Sequence, residues 1–183
     1  MWNPNGILVQ GLNDRTNFVK NFPYTGMNAF YSFPLLDRKD PECRELTWQQ
    51  QFSKTNGNLL VSELITDADF YQRYINKCAE LQIPVRSLFI ESSYSLEIWN
   101  DPLPDMELMG YEYCPMPVDE QIITDMDWYQ GFSRFWPMLN AYGLFNTVED
   151  VKGFVEAYNR AYLADEVGDG EADMYICRVS IVL

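Results

Sequence analysis

The residues of this sequence that could do chemistry are carboxylates, and two of them, Glu91 and Glu112, lie on predicted strands. Glycosidases place a pair of carboxyl groups on either side of the bond that they cleave. If Glu91 and Glu112 face one cleft, tyrosines and Trp99 could stack on a sugar ring there. The competing interpretation is that both glutamates simply face solvent. A carboxylate-pair hydrolase acting on a carbohydrate-like substrate is therefore one hypothesis.

Nucleophilic catalysis through histidine is excluded, because the 183 residues include no histidine. A Ser-His-Asp or Cys-His arrangement and the common histidine-containing zinc sites all fail for this reason. The cysteines are widely spaced, without a C-x-x-C pair, so we expect free thiols, with Cys78 and Cys177 buried among apolar neighbours. The four cysteines are Cys43, Cys78, Cys114 and Cys177.

Calcium loops are also disfavoured, although oxygen ligands are abundant. An EF-hand loop needs glycine at its sixth position, whereas loops starting at Asp125 and Asp169 have Gln130 and Met174 there. We therefore expect no metal and no cofactor.

The segment from Glu107 to Gly131 combines acidic and aromatic residues without a single lysine, arginine or histidine. Carboxylates can pair with lysine and arginine of a partner, and rigid aromatic rings bury area at little entropic cost. The alternative is a solvated acidic rim whose aromatic rings turn into the core. The pattern favours a surface that binds a basic partner.

The net charge of -14 belongs entirely to the second half of the chain. Residues 1–86 contain nine acidic and nine basic side chains, whereas residues 87–183 contain eighteen acidic and four basic ones. Solubility alone requires no such asymmetry. Direct binding of nucleic acid is disfavoured, because the phosphates would be repelled.

The elements that must position these residues form one α+β domain over residues 1–183, with a mixed β-sheet of five to six strands covered by about three helices. The hydrophobic pattern predicts strands at 7–12, 29–36, 58–65, 85–93, 107–114 and 174–183, and helices at 67–82, 119–129 and 147–164. The order of strand 58–65, helix 67–82 and strand 85–93 predicts two parallel neighbours joined by a right-handed crossover.

Two of these helices have clear signals. The first begins after Thr66 or Asp67 as N-cap and has an apolar stripe of Phe70, Tyr74, Cys78 and Leu81. The second begins at Thr147, with Asp150 completing a variant of the capping box. Its predicted buried stripe is Val148, Val151, Val155, Tyr158 and Tyr162.

Three consecutive segments resemble a known family: the acidic loop IWNDPLPD, the strand LMGYEYC that follows it, and the acidic-aromatic segment after that. This arrangement resembles bacterial immunity proteins that neutralise polymorphic or contact-dependent toxins, over about 40 of the 183 residues. The resemblance implies an inhibitory role and brings no catalytic residue. The partner-contact candidates that it implies are Tyr111, Glu112, Asp119, Glu120, Asp125, Asp127 and Trp128.

The leading hypothesis is an acidic binding protein, not an enzyme, that covers the active site of a basic protein partner such as a toxin domain. A DNA mimic that occupies a nucleic-acid-binding protein is a further alternative beside the hydrolase. The chain has no run of the ~20 apolar residues that a membrane span requires and no basic-then-apolar leader pattern. We expect a cytoplasmic protein that does not bind membranes.

Overall fold

The structure is a computed structural model that describes residues 2–12, 30–31, 55–56, 59–60, 64–93, 99–114, 134–135, 137–163 and 175–183. Its elements, in chain order, are β1 (Asn3–Leu12), β2 (Phe30–Tyr31), β3 (Thr55–Asn56), β4 (Leu59–Leu60), α1 (Ala68–Glu80), β5 (Val85–Ser92), β6 (Met106–Cys114), α2 (Val148–Leu163) and β7 (Tyr175–Val182).

The main sheet has the strand order β2-β1-β5-β7-β6, and β3 and β4, of two residues each, pair in a separate two-stranded sheet. The α+β class is confirmed. Every pairing among the described strands is antiparallel, so the predicted mixed sheet is wrong for them. The main sheet consists of four long strands with the two-residue β2 at its edge, and two helices are described, fewer than predicted. The predicted helix at 119–129 lies outside the described residues.

The predicted pair of parallel neighbours around α1 is also wrong, because β1 lies between them. Ile65 exchanges two backbone hydrogen bonds with Ile7 of β1, each 2.8 Å long. The other edge of β1 pairs with β5, with Ile7 opposite Phe89. Both pairings are antiparallel, so the chain at Ile65 and β5 do run in the same direction, but one strand apart.

Helix α1 begins where the sequence indicates, because the Asp67 side chain accepts a hydrogen bond of 2.7 Å from the Phe70 backbone N–H. It ends at Glu80, one residue before the predicted last member of its stripe, so Leu81 is 43% exposed. Gln82 has φ +56°, and the N–H groups of Gln82 and Ile83 donate to the carbonyls of Ala79 and Cys78. This Schellman arrangement satisfies the last carbonyls of the helix.

Helix α2 is capped by Thr147, whose hydroxyl oxygen accepts a hydrogen bond of 3.1 Å from the Asp150 N–H. The same hydroxyl donates to Asp150 Oδ2 at 2.7 Å, which confirms the predicted capping pair. The buried face of α2 is centred differently from the prediction, since Phe154 and Ala157 belong to it while Val148 and Val155 are half-buried. Val151 and Tyr158 are buried as predicted, and the side chain of Tyr162 is not among those described.

Both helices pack on one face of the sheet, which we call the helical face. Cross-strand partners share a face, and Glu91 and Tyr111 both lie opposite Arg178 in β7, so these three side chains share one face. Phe89 and Tyr113, two residues from Glu91 and Tyr111 on the same strands, point to this face as well. The α1 core includes Ile7, Val9 and Phe89, and the α2 core includes Tyr113 and Phe145. The opposite face carries a second buried cluster, formed by Leu8, Leu64, Leu88, Ile90, Leu144, Cys177 and Val179.

The cysteine prediction is confirmed for two of the four residues. Cys78 lies in the α1 core and Cys177 on the opposite face of the sheet, and both are free thiols with 0% exposure. Cys43 and the side chain of Cys114 lie outside the described part of the chain.

Candidate functional site

The proposed carboxylate pair does not form, because Glu91 and Glu112 lie on opposite faces of the sheet. Glu91 is opposite Arg178 in the register, whereas Glu112 is opposite the next residue, Cys177. Successive residues of a strand point to opposite faces. Two carboxylates on opposite faces cannot flank one glycosidic bond, so the hydrolase hypothesis loses its catalytic pair.

The Glu91 carboxylate instead forms a buried ion pair with Arg178. Arg178 Nε donates to Glu91 Oε2 at 2.6 Å, and Nη2 of the same guanidinium also contacts that oxygen. The Glu91 side chain is only 5% exposed and that of Arg178 is 30% exposed. This pairing compensates the desolvation of the carboxylate, since a buried charge is tolerated when it is paired and hydrogen-bonded.

Two aromatic rings complete this cluster on the helical face. The Arg178 guanidinium lies 5.8 Å from the ring centroid of Trp2, within the range of a cation–π contact. The centroids of Trp2 and Tyr111 are also 5.8 Å apart, with the rings tilted by 32°. The N-terminal strand thereby brings Trp2 to a site built otherwise from β5, β6 and β7.

Next to this cluster, a cavity of about 490 Å³ opens at the start of α2. Its aromatic and apolar wall is formed by Trp2, Tyr111, Val148 and Ile176, and its charged wall by Glu149 and Lys152. A volume of this size lies within the range of small-molecule sites. The sequence pattern missed this cavity, because its lining comes from five separate stretches of the chain.

Of the predicted partner contacts, the structure describes only Tyr111 and Glu112. Tyr111 is half-buried and lines the cavity, whereas Glu112 is 5% exposed on the opposite face. The two side chains therefore do not share one surface. Their partner-binding role stays a prediction, and the remaining candidates lie outside the described residues: Asp119, Glu120, Asp125, Asp127 and Trp128.

Arg86 lies on the opposite face of the sheet, because the next residue of β5, Ser87, points to the helical face. Burial lowers the pKa of the Arg86 guanidinium to about 10, and the nearby Tyr142 acts in the opposite direction. Since this pKa lies well above neutral, Arg86 keeps its positive charge at physiological pH.

A second surface feature is the stretch from Asp101 to Leu108, which we call the acidic segment. Its exposed carboxylates are Asp101, Asp105 and Glu107. Two leucines lie among them, with Leu103 53% and Leu108 50% exposed. Isolated exposed leucines are ordinary. Glu107 lies opposite Ile181 and Leu108 opposite Ser180, so these two side chains point to opposite faces of β6, and in the sequence Asp101 and Asp105 flank Leu103.

The acidic segment is held by contacts to three other elements. Trp99, directly before it, is 4% exposed and packs edge-on against Phe89 with ring centroids 5.5 Å apart. The Asp101 carboxylate accepts a hydrogen bond of 2.9 Å from the Ala68 N–H at the start of α1. The Asp105 carbonyl accepts one of 3.0 Å from Leu183. The carboxylates and leucines are therefore presented on an ordered backbone.

Within the described residues, no group of three or more His, Cys, Asp or Glu side chains is placed to hold a metal ion. Neither of the two helices described is long and apolar enough to cross a membrane. No family model matches this chain, and neither a curated protein nor a solved structure matches it.

Proposed function

We propose that this chain is an acidic binding protein that neutralises a basic protein partner, in the manner of an immunity protein that covers a toxin domain. The observation that carries the proposal is the acidic segment, in which three exposed carboxylates and the exposed Leu103 lie on an ordered backbone. It lies in the half of the chain where acidic side chains outnumber basic ones by eighteen to four.

The mechanism has an electrostatic and an apolar step. Carboxylates act over a distance and accelerate the encounter with a positively charged surface. Leu103 then loses its contact with water when the partner docks, which slows dissociation. The acidic residues from Asp119 to Asp127 belong to the same proposal as further anionic contacts.

The experiment that tests this function begins with affinity capture from the native host, followed by co-expression of the captured protein with this chain. The proposal expects a basic protein whose expression alone arrests growth, and growth restored when this chain is present. A captured partner that is acidic, or one whose activity is the same with and without this chain, would contradict it.

Association kinetics then locate the surface. The double variant Asp105→Asn with Glu107→Gln should lower the association rate constant by about threefold or more at low salt. About 1 M salt should remove most of this difference, because it shortens the Debye length to ~3 Å. Leu103→Ala should instead increase the dissociation rate constant.

A matched control removes the same charge elsewhere, through Glu80→Gln with Glu156→Gln. Glu80 ends α1, at the opposite end from Asp101, which contacts the first residue of that helix. The thirteen residues of α1 place Glu80 roughly 20 Å from the start of the helix, where Asp101 is bound. If the control slows association as much as the acidic-segment variant does, only the net charge acts and the acidic segment is not the interface.

A further inference from the structure

The cavity at the start of α2 has two walls of different chemistry. Trp2 and Tyr111 provide aromatic surface, and Val148 and Ile176 provide aliphatic surface. Such a wall attracts a flat apolar ring, because removing both surfaces from water is favourable and aromatic contacts add to it.

The charged wall consists of Glu149 and Lys152, which lie three residues apart on α2. Side chains at this spacing are neighbours on a helix and commonly pair with each other. Here no ion pair joins Glu149 to Lys152, unlike Lys77 and Glu80, which pair at the same spacing on α1. Both charges line the cavity without neutralising each other.

The charge type of the ligand follows from this arrangement. An anion without a positive group would be repelled by Glu149, and a cation without a negative group would be repelled by Lys152. Arg178 does not line the cavity and adds little, because Glu91 already compensates its charge. A molecule with both charges side by side interacts favourably with both side chains.

We propose that this cavity binds a small zwitterion with an aromatic ring, of the chemical class of free aromatic amino acids. The ring lies against Trp2 and Tyr111, the carboxylate pairs with Lys152, and the ammonium pairs with Glu149. The proposal is independent of the binding-protein function, because it uses neither the acidic segment nor a protein partner.

The test uses four matched probes on the whole ¹⁵N-labelled protein, followed by NMR titration. L-Phenylalanine carries the ring and both charges, 3-phenylpropionate lacks the ammonium, phenethylamine lacks the carboxylate, and glycine lacks the ring. L-Phenylalanine should give saturable shifts at Trp2 and Tyr111, with a Kd on the order of 1 mM. Each of the other three should bind more weakly.

Two substitutions separate the charged contacts. Lys152→Gln should weaken binding of L-phenylalanine and 3-phenylpropionate by about threefold, and it should not weaken binding of phenethylamine. Glu149→Gln should weaken binding of L-phenylalanine and phenethylamine, and it should not weaken binding of 3-phenylpropionate. The matched controls Glu156→Gln and Arg160→Gln, exposed and further along the same helix, should leave all affinities unchanged.

Thermal unfolding of each variant checks that α2 stays folded. Absence of saturable shifts with L-phenylalanine would overturn the proposal. Equal losses in the control variants, or binding indifferent to both Glu149→Gln and Lys152→Gln, would overturn it as well.

Discussion

Adding one methyl group at either of two glycines should have opposite effects on stability, because the structure gives these glycines opposite surroundings. Gly110, in β6, has φ +156°, and a Cβ there would lie 2.8 Å from both Leu144 Cβ and the Phe145 carbonyl oxygen. Gly153, in α2, has nothing within 4 Å of the same position. The variants are Gly110→Ala and Gly153→Ala.

The expected magnitudes follow from these contacts. At Gly110 the added carbon must displace the backbone of the 144–145 stretch and adopt an unfavourable backbone conformation, which together cost about 2–4 kcal/mol. The displacement also strains the hydrogen bonds between Tyr111 and Phe145, which are 2.9 and 2.8 Å long. At Gly153 alanine restricts the unfolded chain and favours the helix, so Gly153→Ala should stabilise the protein by about 1 kcal/mol.

Urea unfolding followed by circular dichroism measures both effects. With a slope of about 2 kcal/mol/M, Gly153→Ala should raise the midpoint by roughly 0.5 M and Gly110→Ala should lower it by roughly 1 M or more, with unchanged slopes. A Gly110→Ala variant as stable as the wild type would refute the packing of Leu144 and Phe145 against β6. A destabilised Gly153→Ala variant would refute the open position on α2.

Two further predictions concern α1 and the buried thiols. Gln82→Gly should raise the free energy of unfolding by about 0.5–1 kcal/mol, because glycine adopts the left-handed conformation at the end of α1 without strain. Gln72→Gly, on the exposed side of the same helix, should lower the free energy of unfolding by about as much. If both variants shift the melting temperature in the same direction, the assigned helix end is wrong. Cys78 and Cys177 should react with iodoacetamide only after denaturation, because access is blocked in the folded protein. Peptide mass spectrometry reads each site separately, and rapid labelling of either thiol in native buffer would show that its element is not packed as described.

Local features of the fold could be predicted from the sequence, because their causes lie within a few residues. The capping of α1 by Asp67 and of α2 by Thr147 depends on hydrogen bonds over three residues. The strand at LMGYEYC and the burial of Cys78 and Cys177 also follow from local apolar patterns. The end of α1 was placed two residues late, since the turn at Gln82 does not use the glycine that usually marks such an end.

Which residues of different strands become neighbours could not be predicted in this way. The insertion of β1 between Ile65 and β5 depends on which strand edges pair, and no local pattern specifies that. The register of β5 and β6 against β7 decides which face Glu91 and Glu112 point to. It places them on opposite faces, so the predicted carboxylate pair was wrong.

By itself, the sequence determined the types of chemistry open to this protein and the distribution of its charge. The absence of histidine excludes whole classes of catalysis, and the excess of acidic residues after Arg86 is a property of composition alone. Only the tertiary structure decided which residues meet. It paired Glu91 with Arg178, brought Trp2 to Tyr111, and left Glu149 and Lys152 unpaired beside one cavity. The physical reason is that composition and capping hydrogen bonds depend on residue types and on neighbours in the chain, whereas strand pairing, packing and the Glu91–Arg178 ion pair join residues that are distant in it.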